Sequence, residues 1–421
     1  MAVHYREWLI GLIISCLCII IFTLPFSKSA VEICFAIALA LWGLKKIFFH
    51  EPHTYSTYSF KQILSSQNLP IYLFVFACFI SILHSASIVL SVKGLFFKLL
   101  EGVLLYFIVA DTISDRKKLS VILAAIVLSI LLISADCIFQ LKSESARDFL
   151  RNYPQAGRVT ASFNTSNGLG GWITIMLPLL LGMACTWGNQ WSKKLLTLML
   201  WPLAVVLSLC LVLTHSRGAL VGTAFAMIFF AIYKRSKIFL TAMALILAIL
   251  PFIILYSMNF QLSFTGDFLS SLKNNLVQVM LKMDIVRTHL WREAILIIKD
   301  FPIFGCGLNT YSIVAPMYKS TLPEAGFYPH NSYLQMAAET GIVGLASFIL
   351  VMISLFKTSL INMRKTEDSF YRNILLGLSA GLFGFLVHSF FDVNFYALQL
   401  AILMWFIMGL IVAVQKIALK I

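Results

Sequence analysis

The chain has 421 residues, 60% of them hydrophobic and only 12% charged, with a mean hydropathy of +0.90. Soluble domains stay near 45–50% apolar with about 25% charged residues, so an ordinary soluble globular fold is excluded. The formal charge of +14 does not indicate nucleic-acid binding, because the cations punctuate apolar runs instead of forming a basic tract on a polar domain.

Runs of about 20 apolar residues, each able to cross a bilayer as a helix, recur along nearly the whole length. They predict an all-α polytopic membrane protein with about 12 transmembrane helices, at 8–25, 29–49, 70–90, 94–111, 119–140, 167–186, 195–213, 217–234, 238–257, 335–356, 371–391 and 394–415. The first, "WLIGLIISCLCIIIFTL", lacks a basic n-region and a small-residue cleavage site, so it is read as a span and not a signal peptide. Basic clusters at Arg6, Lys45–Lys46, Arg116–Lys118, Lys193–Lys194, Lys234–Arg235, Arg364–Lys365 and Lys416–Lys420 fall on one side of the alternation. By the positive-inside rule both termini face the cytoplasm. The eight cysteines form no CxxC pair and indicate neither a disulfide framework nor a metal site.

Two longer segments, 141–167 and 258–334, face outward, which divides the chain into spans one to nine (1–257), a large external loop between spans nine and ten (258–334) and the last three spans (335–421). Within that loop, "VRTHLWREAILIIKD" sets Leu290, Ala294 and Ile297 on one helical face with Trp291, Ile295 and Ile298 beside them. The pattern predicts an amphipathic helix lying on the membrane surface. "FPIFGCGLNTY" then breaks it with Pro302, Gly305 and Gly307.

Polar groups collect on the external side. Arg158 and Asn164 precede span six, Arg217 in "THSRGALVG" opens span eight, Arg287 and Arg292 lie on the loop helix, and His330, Asn331 and Glu339 open span ten. His388 and Asp392 in "HSFFDVNF" lie at the turn between the last two spans. A guanidinium pairs bidentately with phosphate oxygens and keeps its charge, and at Arg217 the helix N-terminus adds free N–H groups. A single such arginine can equally snorkel to lipid head groups; the whole set points to an anion. An imidazole supplies a neutral base at physiological pH, making His330 the candidate to take a proton from a hydroxyl, with Asn331 as the cap of the following helix. No HExxH, paired carboxylates or GxxxxGK[ST] occurs in position to hold zinc, a diphosphate-bound Mg²⁺ or ATP. Neither a metal nor a cofactor is therefore expected.

The ordered set "SFNTSNGLGGW", "LTHSRGALVG", "RTHLWREAILIIKDFPIFGCGLNTY", "HNSYLQMAAETGIVGL" and "HSFFD" resembles the O-antigen ligase and polymerase superfamily of bacterial envelope glycosyltransferases. The resemblance covers the second half of the chain by motif and the first half by hydropathy. It implies a metal-independent GT-C-type transferase at the periplasmic face of the inner membrane, with an undecaprenyl-diphosphate-linked glycan as donor. In a ligase the acceptor is a sugar hydroxyl of the lipid A–core oligosaccharide. The family's essential histidine falls on His330 and the arginine of its SRG motif on Arg217. Arg287 matches the arginine opening the loop helix, and Arg158 aligns as a further arginine. Glu339 and Asp392 match recurrent acidic positions with structural or orienting roles.

Three other readings stand beside a ligase. An O-antigen polymerase uses the same donor but extends another lipid-linked chain. A protein O-oligosaccharyltransferase is disfavoured by the end of the chain at Ile421, soon after the last span. A flippase or transporter is favoured by intramembrane charges such as Glu32, Glu101 and Asp136, but would be expected to carry its site at the midplane.

Overall fold

The computed structural model describes residues 2–49, 68–142, 158–186, 191–235, 285–318 and 328–420. The expected ninth span, 238–257, lies outside the described residues, as do 143–157 of the first external segment and 258–284 and 319–327 of the second. Helices occupy each of the other eleven expected spans: α1 (Ala2–Thr23), α2 (Lys28–Phe48), α3 (Leu69–Leu83), α4 (Ile88–Gly94) leading through a π turn at Leu95–Leu100 into α5 (Glu101–Thr112), α6 (Arg116–Lys142), α7 (Ser166–Ala184), α8 (Trp191–Leu213), α9 (Arg217–Lys234), α12 (Ser332–Lys365), α13 (Ser369–His388) and α14 (Leu398–Leu419). The external loop contributes α10 (Ile285–Asp300) and the short α11 (Tyr311–Val314). Among the described residues, seven helices are long and apolar enough to cross a membrane: α1, α6, α7, α9, α12, α13 and α14. Leu69–Leu83 and Met199–Leu213 are shorter apolar helices. The described residues are all helical, as in a multi-pass membrane protein.

One expected span is cut short. The run 70–90 was read as a single helix, but α3 stops at Leu83 and the chain turns at His84–Ser87. The turn is fixed from far away, by the Ala86 N–H donating to the Cys306 carbonyl (2.8 Å).

Helix α7 is the hub. It is buried along nearly its whole length, as a helix apolar on every side must be, and α8, α9 and α13 pack around it. Close approach of α9 to α13 needs Gly222 and Gly384, because a Cβ on either would lie 2.5 Å from the other's carbonyl oxygen. Small residues at such crossings let dispersion contacts form along the whole seam. Thr174 of α7 and Thr223 of α9 share a hydroxyl hydrogen bond of 2.9 Å inside it.

At one end of this bundle, α10, the 301–310 loop and α11 pack onto the first turns of α12. Leu290, Ala294 and Ile297 are all buried, the last two in a small core with Cys306, Tyr311 and Ala338. The predicted apolar face is therefore present, but it covers protein instead of lying on a lipid surface; Ile295 and Leu296 beside it stay exposed. The loop also repairs a break in α12. At Gly341 the backbone turns to φ 66°, ψ −173°, a region essentially restricted to glycine, which interrupts the helical hydrogen-bond ladder. The carbonyls of Ala338 and Glu339 accept instead from the N–H groups of Cys306 (2.9 Å) and Gly307 (3.0 Å), and Ile342 N–H donates to the Pro302 carbonyl (2.9 Å). A methyl at position 341 would both demand this backbone of an L-residue and collide with the Ile303 carbonyl. Gly341→Ala is expected to cost at least about 3 kcal/mol, read as a clear fall in the thermal midpoint of the detergent-purified protein. An unchanged midpoint would show that the kink tolerates a side chain.

Candidate active site

The end of the bundle that carries α10 also holds a cavity of about 270 Å³, lined by Arg158, Arg217 and Arg287, the imidazoles of His215 and His388, and Asn167, Ser216 and Phe391 among others. Three of the four predicted anion-binding arginines thus meet, from a loop, from α9 and from α10. Arg217 is the first residue of α9, whose N-cap Ser216 accepts from the Ala219 N–H, so its guanidinium stands beside the positive end of a helix dipole. Arg158 is more constrained. It donates from Nε to the Thr214 carbonyl (2.9 Å) and from Nη2 to the His215 carbonyl (3.2 Å) and Asn167 (3.3 Å). It therefore ties the chain entering α9 as well as lining the cavity. Burial lowers its pKa, with the charges of Arg217 and then Arg287 adding to the effect and Asp392 opposing it.

The fourth arginine does not join. Arg292 is exposed on α10 and is not among the cavity-lining residues. Its five-residue separation from Arg287 turns it about 140° around the helix.

His330 lies just before α12 in the left-handed region, at φ 47°, which costs a non-glycine residue roughly 1–3 kcal/mol and persists only where the surroundings fix it. Here they do. Trp291 of α10 donates to the Pro329 carbonyl (2.8 Å). The Asn331 side chain caps α12 by accepting from the Tyr333 (3.0 Å) and Leu334 (3.1 Å) N–H groups. Ser332 is stitched to the α13–α14 turn through its N–H to Ser389 O (2.9 Å) and its hydroxyl to Asp392 O (2.8 Å).

The Asp392 carboxylate faces His330, with Oδ1 3.2 Å from Nδ1. Burial would raise the Asp392 pKa, but the hydrogen bond with His330, the neighbouring His388 and the Val393 N–H bring it down to about 2. Because this folded value is below the ordinary 3.8, the ionised carboxylate stabilises the fold above pH 3.8, and that contribution disappears as pH falls through about 2. At neutral pH Asp392 is an acceptor only, so the Nδ1 that faces it carries hydrogen, and in the neutral imidazole Nε2 is then the acceptor. His330 does not line the arginine cavity itself; Asp392 connects them, following the cavity-lining Phe391 in the chain and interacting with His388.

Glu339 is placed elsewhere. It is buried under the loop and accepts from the N–H groups of Asn309 (2.7 Å) and Tyr311 (3.2 Å) and from Gln335 Nε2 (3.1 Å). It clamps the loop to α12 and does not touch the cavity. His215 and His388 were not assigned roles from sequence. His388 is buried, its Nδ1 has no hydrogen-bond partner among the described residues, and Gly218 leaves it room, since a Cβ there would sit 2.9 Å from its Cδ2. Their places inside "LTHSRGALVG" and "HSFFD" were the sequence signal for the two imidazoles. Among the described residues no three His, Cys, Asp or Glu side chains are placed to hold a metal ion.

Residues 202–349 match the family model described as O-antigen ligase. This segment contains Arg217, Arg287 and His330. The match makes this segment similar to the O-antigen ligase family. The exopolysaccharide production protein ExoQ of Rhizobium meliloti (strain 1021) is 28% identical over 115 residues, an alignment covering 26% of this chain and 26% of ExoQ. Arg158, His388 and Asp392 lie outside the superfamily match, so the site is completed by elements on both sides of it.

Proposed function

We propose that the protein is an O-antigen ligase that transfers a glycan from undecaprenyl diphosphate to a sugar hydroxyl of the lipid A–core oligosaccharide. In this reading the chain is a GT-C-type enzyme with about 12 spans, both termini in the cytoplasm and the active site at the periplasmic face of the inner membrane. The observation that carries it is the convergence of Arg158, Arg217 and Arg287 on one cavity beside the Asp392–His330 pair. Arg217 and Arg287 hold the donor diphosphate while Arg158 braces the approach to α9. His330 Nε2 takes the proton of the acceptor hydroxyl as its oxygen bonds to the anomeric carbon. The bond from that carbon to the phosphate oxygen breaks, and undecaprenyl diphosphate leaves with the electron pair, its growing charge stabilised by guanidiniums already in place. A single displacement inverts the anomeric configuration.

The lipid tail has a matching surface. An apolar groove of about 570 Å³ between α9, α12 and α13 is lined by Phe229, Tyr333, Ile349, Met352, Phe356 and Phe383. It begins at Tyr333, three residues beyond His330, and runs toward Lys357.

A second reading is a polymerase that joins lipid-linked repeat units, and the likeness to an exopolysaccharide production protein makes an exopolysaccharide a candidate product. Deleting the gene and examining both lipopolysaccharide and the lipid-linked pool separates the two. A ligase leaves core without O-antigen and long glycan stranded on undecaprenyl diphosphate. A polymerase leaves a core bearing a single repeat, or loss of exopolysaccharide with lipopolysaccharide intact. Unchanged glycans in every pool would overturn both.

A further inference from the structure

One buried polar group at the arginine cavity has no part in the proposed transfer. His388, the last residue of α13, is 1% exposed and lines that cavity. Its Nδ1 is closed to solvent and has no hydrogen-bond partner among the described residues. Leaving a buried polar atom unsatisfied is destabilising, and such an exception in a folded chain calls for a reason.

Space for this imidazole is kept on three sides by glycine. A Cβ on Gly171 of α7 would lie 3.2 Å from Nδ1, and one on Gly218 of α9 would lie 2.9 Å from Cδ2. One on Gly222, a turn further along α9, would lie 3.0 Å from the histidine Cβ. Side chains at these positions would crowd the ring out of its slot, whereas close packing without them holds it in one orientation.

That orientation gives the two ring nitrogens different surroundings. Nδ1 is turned toward Gly171, within the packing of α13 on α7. The Cδ2–Nε2 edge is turned toward Gly218, which lines the cavity together with Arg158, Arg217 and Arg287. An imidazole carries at least one N–H. With no acceptor at Nδ1 among the described residues, the proton belongs on Nε2, at the cavity. A donor fixed this firmly needs no reorganisation when charge develops in front of it, and an N–H adds direction to a site whose guanidiniums supply charge.

We infer that His388 is a ligand of the donor diphosphate, its Nε2–H donating to a non-bridging phosphate oxygen and fixing where the diphosphate sits relative to Arg217 and Arg287. The assignment rests on the reading of this cavity as a diphosphate site. It separates the two histidines by role: His388 donates to the leaving group, while His330 accepts from the attacking hydroxyl.

Binding of inorganic pyrophosphate to the full-length purified protein, followed by calorimetry, tests this with two variants. Glutamine sets its amide nitrogen near the position of Nε2, and asparagine sets its own near that of Nδ1. His388→Gln should bind pyrophosphate within about threefold of wild type, and His388→Asn about tenfold more weakly, the scale of one hydrogen bond to a charged group. Glycan transfer should fall in the same order. Should either variant unfold at a lower temperature without ligand, the rise that pyrophosphate produces above that variant's own midpoint gives the affinity instead. Absence of pyrophosphate binding by the wild type would overturn the diphosphate site, and the role of His388 with it. Wild-type binding that His388→Asn retains, or that both variants lose equally, would overturn the role of His388 alone.

Discussion

Replacing His330 by alanine is expected to lower glycan transfer about 1000-fold, the scale of a lost general base, while the protein still inserts and folds. The expectation follows from geometry. Asp392 is held ionised, its oxygen sits 3.2 Å from Nδ1, and the tautomer this enforces leaves Nε2 as the acceptor. His330→Asn is the better-behaved companion, since asparagine tolerates the left-handed backbone found at this position yet cannot take a proton. Asp392→Asn keeps the shape but can present its amide to Nδ1 and stabilise the wrong tautomer, with an expected loss of about 100-fold. All three changes should act on kcat, because the arginines proposed to bind donor are untouched. Reconstituted transfer from a lipid-linked donor to purified core, with retained donor binding, is the measurement. Near-normal turnover by His330→Asn would remove the base from the mechanism, whereas a transporter would form no glycosidic bond in this assay with either protein.

The sequence made some of this site legible and not the rest, for reasons that can be named. Arg217 could be placed because the apolar run of span eight begins at it, and His330 because Asn331 after it is a strong cap; α9 and α12 begin there. Apolar run length likewise located most spans. The turn after Leu83 was hidden because its anchor, Cys306, is more than 200 residues away. An apolar stripe reports that a helix is covered on one side, not by what, so α10 was assigned to lipid when it packs on α12. His215 and His388 stayed without roles because an imidazole in an apolar stretch gives no local sign of its partners. The three-dimensional fact that gives His388 its place, a glycine on α9 leaving room for a ring on α13, links positions 170 residues apart.

Arg217→Gln is expected to reduce transfer by about 100- to 1000-fold, the usual consequence of removing one preorganised charge-stabilising donor. Arg217 combines two contributions. It sits at the N-terminus of an 18-residue helix, where backbone N–H groups already favour an anion, and it is one of three arginines lining the cavity proposed to hold the diphosphate. Arg217→Lys retains the charge but loses the planar fork, so recovery should be partial. Inorganic pyrophosphate, which carries the leaving group without its lipid, should inhibit the wild type competitively and inhibit Arg217→Gln much less. Arg292→Gln supplies the contrast: exposed on the far side of α10, it should change transfer by no more than about twofold. If Arg292→Gln proved as damaging as Arg217→Gln, the diphosphate would have to bind along the outer face of α10, and the cavity between α9 and α13 would lose its assigned role.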